Sequence, residues 1–296
     1  MPGDIKGVIT ALVTPFSPDD TIDEEGLRVL LRRQVEQGVH GVAVVAGSGE
    51  YVNLSETERS LVVEISVDEI AGRIPVIAGV LSPNTRDASV WAERATRLGA
   101  DALLVLTPYY NRPSINGVID HFRTVAEATS LPILIYNNPG RTGINLLPDD
   151  FEKCAEIPTI RGIKECNRDL ATLSQIISLL ATRWTSILCG EDDLLYPSLE
   201  LGAAGGILTT SNVMPSQWVA MYRAIVEGDH GAARAIHYEV LPFFRAIYSL
   251  NHPALIKKAL TVLGLPAGRT RAPLADPTAE QEKYLRELIE TMKLGT

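Results

Sequence analysis

Lys164 closes the apolar run Ile160-Arg161-Gly162-Ile163. An amine at the end of a buried strand is one of the few side-chain groups able to attack a ketone. Removal from water disfavours its charged form, so Lys164 is expected below the ordinary lysine value of about 10.4, toward neutrality. Its alternative is structural, an ion pair with Glu165, Glu50 or Glu191. Gly47-Ser48-Gly49 offers consecutive backbone N–H groups and one hydroxyl, a set suited to a small carboxylate, or else forms a plain tight turn. Tyr136 ends another apolar run, where its phenol needs a hydrogen-bond partner, for proton relay or simply to be satisfied. Arg141 could grip a carboxylate through two N–H groups or sit in a surface ion pair. Tyr109 and Tyr110 put two aromatic rings on one loop, where they could equally cover a subunit interface.

These residues share a place in the pattern: each follows a short apolar run. Such runs recur at 8–13, 42–45, 75–78, 102–106, 132–136, 160–163, 186–188 and 206–208. Amphipathic stretches at 24–36, 55–70, 86–98, 115–128, 170–180 and 192–201 alternate with them, with apolar residues at three- and four-residue spacing. Strands that are apolar throughout belong in a parallel sheet covered by helices. Closed on itself, that sheet is a (β/α)8 TIM barrel, whose chemistry sits at the carboxyl ends of the strands. A doubly wound open sheet is the alternative, since periodicity does not show closure. Further helices are expected near 216–227, 232–249, 253–263 and 278–293, the first completing the barrel. The expected organisation is therefore a catalytic barrel over 1–228 and a C-terminal helical appendage over 229–296. The run from Gly202 to Gly206 reads as close backbone packing rather than a phosphate cradle.

Composition excludes several classes of function. With 296 residues, 46% of them hydrophobic and 21% charged, the chain can bury one large core. Its net charge of −9 and lack of a basic run repel a nucleic-acid backbone. No apolar run approaches the roughly 18 residues of a membrane span, and the amino terminus lacks the apolar core of a secretion signal. A cytoplasmic location is expected. Cys154, Cys166 and Cys189 lack CxxC spacing, and the five histidines, His40, His121, His230, His237 and His252, are scattered, so neither a metal nor any other cofactor is expected.

Four motifs together resemble the dihydrodipicolinate synthase and N-acetylneuraminate lyase family: GRIPVIAGV at 72–80, TPYYNRPS at 107–114, YNNPGRTG at 136–143 and GIKE at 162–165. The resemblance covers nearly the whole chain and implies the barrel and a Schiff-base lyase. It makes Lys164 the imine-forming residue and Tyr136 the phenol that moves protons. Ser48, beside Gly47, falls where the family binds the pyruvate carboxylate, and Arg141 where it holds aspartate semialdehyde. Ile207 matches a residue whose backbone carbonyl faces the site. Tyr110 matches the residue that reaches into a neighbouring subunit, which implies a homodimer or homotetramer. The implied reaction joins pyruvate to a small aldehyde.

One departure stands out. Where relatives usually read GTTGE, this chain has Ala46-Gly47-Ser48-Gly49-Glu50, so the threonine hydroxyl that links the two tyrosines is absent. A water can take the place of such a hydroxyl. The stretch also looks like the AGGTGE of decarboxylating 5-dehydro-4-deoxyglucarate dehydratases, which share the lysine imine. That activity, or a 2-keto-3-deoxy sugar acid aldolase, is the second reading. A third is a non-catalytic, carboxylate-binding barrel in which Gly47 marks a decayed relay; Lys164, Tyr136 and Tyr110 argue against it, because binding alone needs none of them.

Overall fold

A computed structural model describes residues 4–248 and 252–294. Eight strands, β1 (Gly7–Ala11), β2 (Gly41–Val44), β3 (Val76–Val80), β4 (Ala102–Leu106), β5 (Ile133–Asn137), β6 (Ile160–Glu165), β7 (Ser186–Cys189) and β8 (Gly205–Leu208), pair in sequence order. β8 returns in parallel to β1, with Ile207 opposite Ile9, so the barrel is closed and the open sheet is ruled out. Apart from Arg161, every strand residue is buried, as a sheet filled on one face and covered by helices on the other requires. At Gly205 a Cβ would lie 2.1 Å from the Gly7 carbonyl oxygen, so the glycine-rich stretch serves close packing of β8 on β1.

Helices α1 (Glu24–Glu36), α2 (Glu56–Ile70), α3 (Thr85–Arg97) and α4 (Ile115–Glu127) follow the first four strands. Side chains start them where the sequence offers caps: Asp23, Ser55, Asn84 and Ser114 each accept a backbone N–H of the first turn. Beyond β5 come α5 (Pro139–Thr142), α6 (Pro148–Cys154), α7 (Leu170–Leu180), α8 (Leu195–Glu200) and α9 (Pro215–Val226). The sequence reading missed α6, whose seven residues are too few to display a helical period although Pro148 stands at its start.

Three more helices, α10 (His230–Tyr248), α11 (Ala254–Val262) and α12 (Ala279–Thr291), form the C-terminal part. The expected end of α10 at residue 249 lies outside the described residues, as do residues 1–3 and 295–296. Phe243, Ile247, Leu255 and Leu285 belong to the same buried apolar cluster as Ile9 and Val42 of the barrel, so one core runs through both parts. Among the described residues no helix is long and apolar enough to cross a membrane.

Candidate active site

A cavity of about 470 Å³ opens at the carboxyl ends of the strands, with Lys164 and Tyr136 on its wall. Register sets them side by side, because Tyr136 on β5 is the direct partner of Lys164 on β6. Lys164 Nζ lies 4.4 Å from the centroid of the Tyr136 ring. Strand alternation turns Glu165 the other way, where Asn137 Nδ2 donates to both its oxygens at 3.0 Å and the Asn167 N–H donates at 2.6 Å. Burial pushes the Glu165 carboxyl up to about 7. Gly190 on the next strand end leaves the room Lys164 needs, since a Cβ there would meet Cys166 Sγ at 2.2 Å and Lys164 Cε at 3.0 Å.

The structural alternative for Lys164 does not hold: among the described residues' ion pairs Lys164 is not a member, and Glu50 and Glu191 pair with Lys257 and Arg168. The expected depression of its amine needs correction. Burial does disfavour the ammonium, but the negative charge that Tyr136, Cys166 and Asp192 carry when ionised, with the hydrogen bond to Tyr136, outweighs that penalty and holds Lys164 above the ordinary lysine range. Burial likewise raises the Tyr136 phenol, whose oxygen accepts a hydrogen bond from Asn138 Nδ2 at 3.1 Å. An amine so held must lose a proton before it can act as a nucleophile, and the Tyr136 phenol is hydrogen-bonded to it.

The loop after β2 carries Ser48. Its backbone turns sharply, with Val45 and Glu50 in the left-handed region at φ 46° and 58°, and Thr14 Oγ1 donates to the Gly49 carbonyl at 2.8 Å. Ser48 is buried, and its hydroxyl lies 3.0 Å from Thr209 Oγ1 and 3.2 Å from His252 Nε2. Gly47 lines the cavity, and a Cβ on it would stand 3.9 Å from the Tyr136 hydroxyl with nothing nearer. Ile207 is buried within β8 and does not line the cavity; Thr209, two residues on, forms that wall instead.

The motif YNNPGRTG has a local logic. Asn138 caps α5, accepting the Arg141 N–H at 3.2 Å while its amide steadies Tyr136, and so couples the Tyr136 phenol to the turn that presents Arg141. Arg141 is on the cavity lining and exposed. The two tyrosines of the preceding loop part company. Tyr109 turns into the cavity, whereas Tyr110, in the left-handed region at φ 71°, is 90% exposed and away from its own chain's cavity.

Several cavity residues escaped the sequence reading: Thr209, His252, Asn138, Cys166 and the ion pair behind Ser48. Glu50 Oε1 accepts from Lys257 Nζ of α11 at 2.7 Å, and Glu50 Oε2 accepts the Arg271 N–H at 3.0 Å. Both side chains of the pair are 1% exposed, and burial, against the pull of Glu50, lowers Lys257 to about 8. The C-terminal part thus braces the loop that carries Ser48. Lys257→Met leaves a buried carboxylate without its cation and is expected to reduce the unfolding free energy by about 3–5 kcal/mol, read from urea denaturation. A loss under about 1 kcal/mol would remove the pair from the loop's support.

Comparison with known proteins agrees with this fold. The sequence profile of the Dihydrodipicolinate synthetase family matches residues 4–292. The 4-hydroxy-tetrahydrodipicolinate synthase of Methanospirillum hungatei JF-1 is 39% identical over 286 residues, 96% of this chain and 98% of that protein. The crystal structure of dihydrodipicolinate synthase from Aquifex aeolicus superposes with a TM-score of 0.94 at 36% identity, over 98% of this chain and 99% of that one. The enzyme from Acinetobacter baumannii, solved in complex with pyruvate, gives a TM-score of 0.95 at 32% identity over the same shares.

Proposed function

Because this chain belongs to the Dihydrodipicolinate synthetase family, we propose that it condenses pyruvate with aspartate semialdehyde through an imine on Lys164. It is a pyruvate-dependent, class I lyase of the 4-hydroxy-tetrahydrodipicolinate synthase type. The observation that carries the residue assignment is the placing of Lys164, Tyr136, Ser48 and Arg141 on one cavity.

Ser48 receives the pyruvate carboxylate, which sets the keto carbon before Lys164. The Lys164 amine, its surplus proton passed to water by way of Tyr136, adds to that carbon, and the carbinolamine loses water as Tyr136 returns a proton to the leaving hydroxyl. The iminium withdraws electrons from the methyl group, which gives up a proton to the Tyr136 oxygen, left anionic by the departure of water, to form an enamine. The enamine carbon bonds to the aldehyde carbon of aspartate semialdehyde, whose own carboxylate Arg141 holds, while the aldehyde oxygen takes the proton from Tyr136 and becomes a hydroxyl. The amine of that substrate then attacks the former keto carbon and displaces Lys164, giving one proton to the departing lysine amine and one to the Tyr136 oxygen, which closes the ring and frees the enzyme.

Assays of pyruvate plus aspartate semialdehyde beside 5-dehydro-4-deoxyglucarate test the reading, with kcat/KM expected to favour the first pair. A preference for the sugar acid would leave only the imine standing.

We propose further that Tyr110 serves the cavity of a neighbouring copy in a homodimer or homotetramer; its exposure and its direction away from its own cavity support this. Tyr110→Phe is then expected to slow turnover by roughly 10²-fold while pyruvate still forms its imine on Lys164. Mixed oligomers with Lys164→Ala should regain activity, since each hybrid pair holds one site with both groups. Hybrids verified by mass but inactive would confine Tyr110 to its own subunit. Residues 1–228 are proposed as the catalytic barrel and 229–296 as its brace, working in the cytoplasm, where three buried free cysteines remain reduced.

A further inference from the structure

We propose that His252 is a positioning residue for substrate binding, its Nε2–H holding the Ser48 hydroxyl so that the hydroxyl proton points at the carboxylate of the α-keto acid. The inference deepens the reading of Ser48 as the keto-acid site and rests on it. His252 stands just before α11, lines the cavity, and places Nε2 3.2 Å from Ser48 Oγ. Thr209 Oγ1 lies 3.0 Å from the same atom. Thr209 is itself fixed: its backbone N–H donates to Asp192 Oδ1 at 3.1 Å, and the N–H and hydroxyl of Thr210 donate to Asp192 Oδ2 at 2.6 and 2.5 Å.

A serine hydroxyl has one proton to give and two lone pairs to fill. When His252 Nε2–H and the Thr209 hydroxyl both donate to Ser48 Oγ, the lone pairs are taken and its proton is left for a third partner. On the cavity wall that partner is an anion. With the other imidazole tautomer, Ser48 would donate to Nε2, and its proton would be lost to the substrate. The tautomer therefore decides whether Ser48 binds a carboxylate. Burial, with the nearby charges of Arg141 and Lys164, lowers His252 to about 3, so the imidazole carries a single N–H and does not intercept protons of the imine chemistry.

The test is the pyruvate dependence of borohydride trapping on Lys164, followed by intact mass. His252→Ala should raise the half-saturating pyruvate concentration by roughly 10-fold or more, as loss of a hydrogen-bond network on a charged ligand does. Glutamine sets its amide nitrogen near the place of Nε2, and asparagine near that of Nδ1. His252→Gln should therefore recover to within about threefold of wild type, and His252→Asn should not. This contrast reads out even if the alanine variant fails to fold. Because His252 acts through Ser48, Ser48→Ala with His252→Asn should need no more pyruvate than Ser48→Ala alone. Wild-type pyruvate dependence in His252→Asn, equal defects in the Gln and Asn variants, or additive losses in the double variant would each overturn the assignment. A wild-type protein that traps no pyruvate would instead sink the imine itself.

Discussion

Lys164→Ala is expected to abolish the borohydride-trapped pyruvate adduct and to lower turnover by on the order of 10³-fold or more, as removal of a covalent nucleophile does. Among the described residues no other lysine lines the cavity to stand in. Lys257, the other lysine buried near the cavity, donates to Glu50 at 2.7 Å and to the Arg269 carbonyl at 2.8 Å, so its amine is committed. The substitution should cost little stability, because Lys164 belongs to no ion pair among the described residues and the Asp192 carboxylate whose charge it feels keeps three hydrogen bonds from Thr209 and Thr210. Intact mass after reduction should gain one pyruvate-derived adduct in wild type, mapped to the peptide bearing Lys164, and none in the variant. Turnover persisting in Lys164→Ala, or an adduct on another lysine, would remove the central assignment. The raised amine adds a pH expectation. Since the ammonium is the resting form, trapping rate should climb as pH rises through the neutral range rather than level off there.

The parts of this site that could be read in the sequence are those set by local chemistry. Lys164 and Tyr136 end apolar runs on neighbouring strands, and strand ends of a parallel barrel are where side chains leave the core. Ser114 and Asn138 are legible on the same terms, as polar residues opening α4 and α5, although the sequence reading gives neither a role. What stayed hidden joins residues far apart in the chain. Ser48 meets Thr209 across 161 residues and His252 across 204, and Glu50 meets Lys257 across 207. No periodicity connects them, and His252 was noticed only as one of five scattered histidines. The direction of the Lys164 shift was misread for a related reason. Burial is foreseeable from an apolar run, but the approach of Asp192 to Lys164 follows from the pairing of β6 with β7, which the sequence does not display.

Arg141→Ala and Gly47→Thr together separate the synthase from the sugar-acid dehydratase. Hydrogen bonds to a charged group contribute on the order of 1.5–3 kcal/mol, or roughly 10- to 100-fold in kcat/KM. Arg141 is exposed at the cavity, so solvent screens its hold and the lower figure, about 10-fold for aspartate semialdehyde, is expected. Pyruvate trapping should barely change, since the proposed partner of Arg141 is the second substrate. At Gly47 the backbone is outside the left-handed region, and the nearest atom to an added Cβ is the Tyr136 hydroxyl at 3.9 Å. A threonine fits there without strain, and its own hydroxyl falls within hydrogen-bond reach of the phenol. Gly47→Thr should then raise synthase turnover, by up to roughly 10²-fold if the relay limits the rate. Were the cavity instead shaped for a longer sugar acid, the same threonine would occupy the space that Gly47 leaves. Turnover of 5-dehydro-4-deoxyglucarate would collapse, synthase activity would stay at background in both proteins, and Arg141→Ala would make no difference to aspartate semialdehyde.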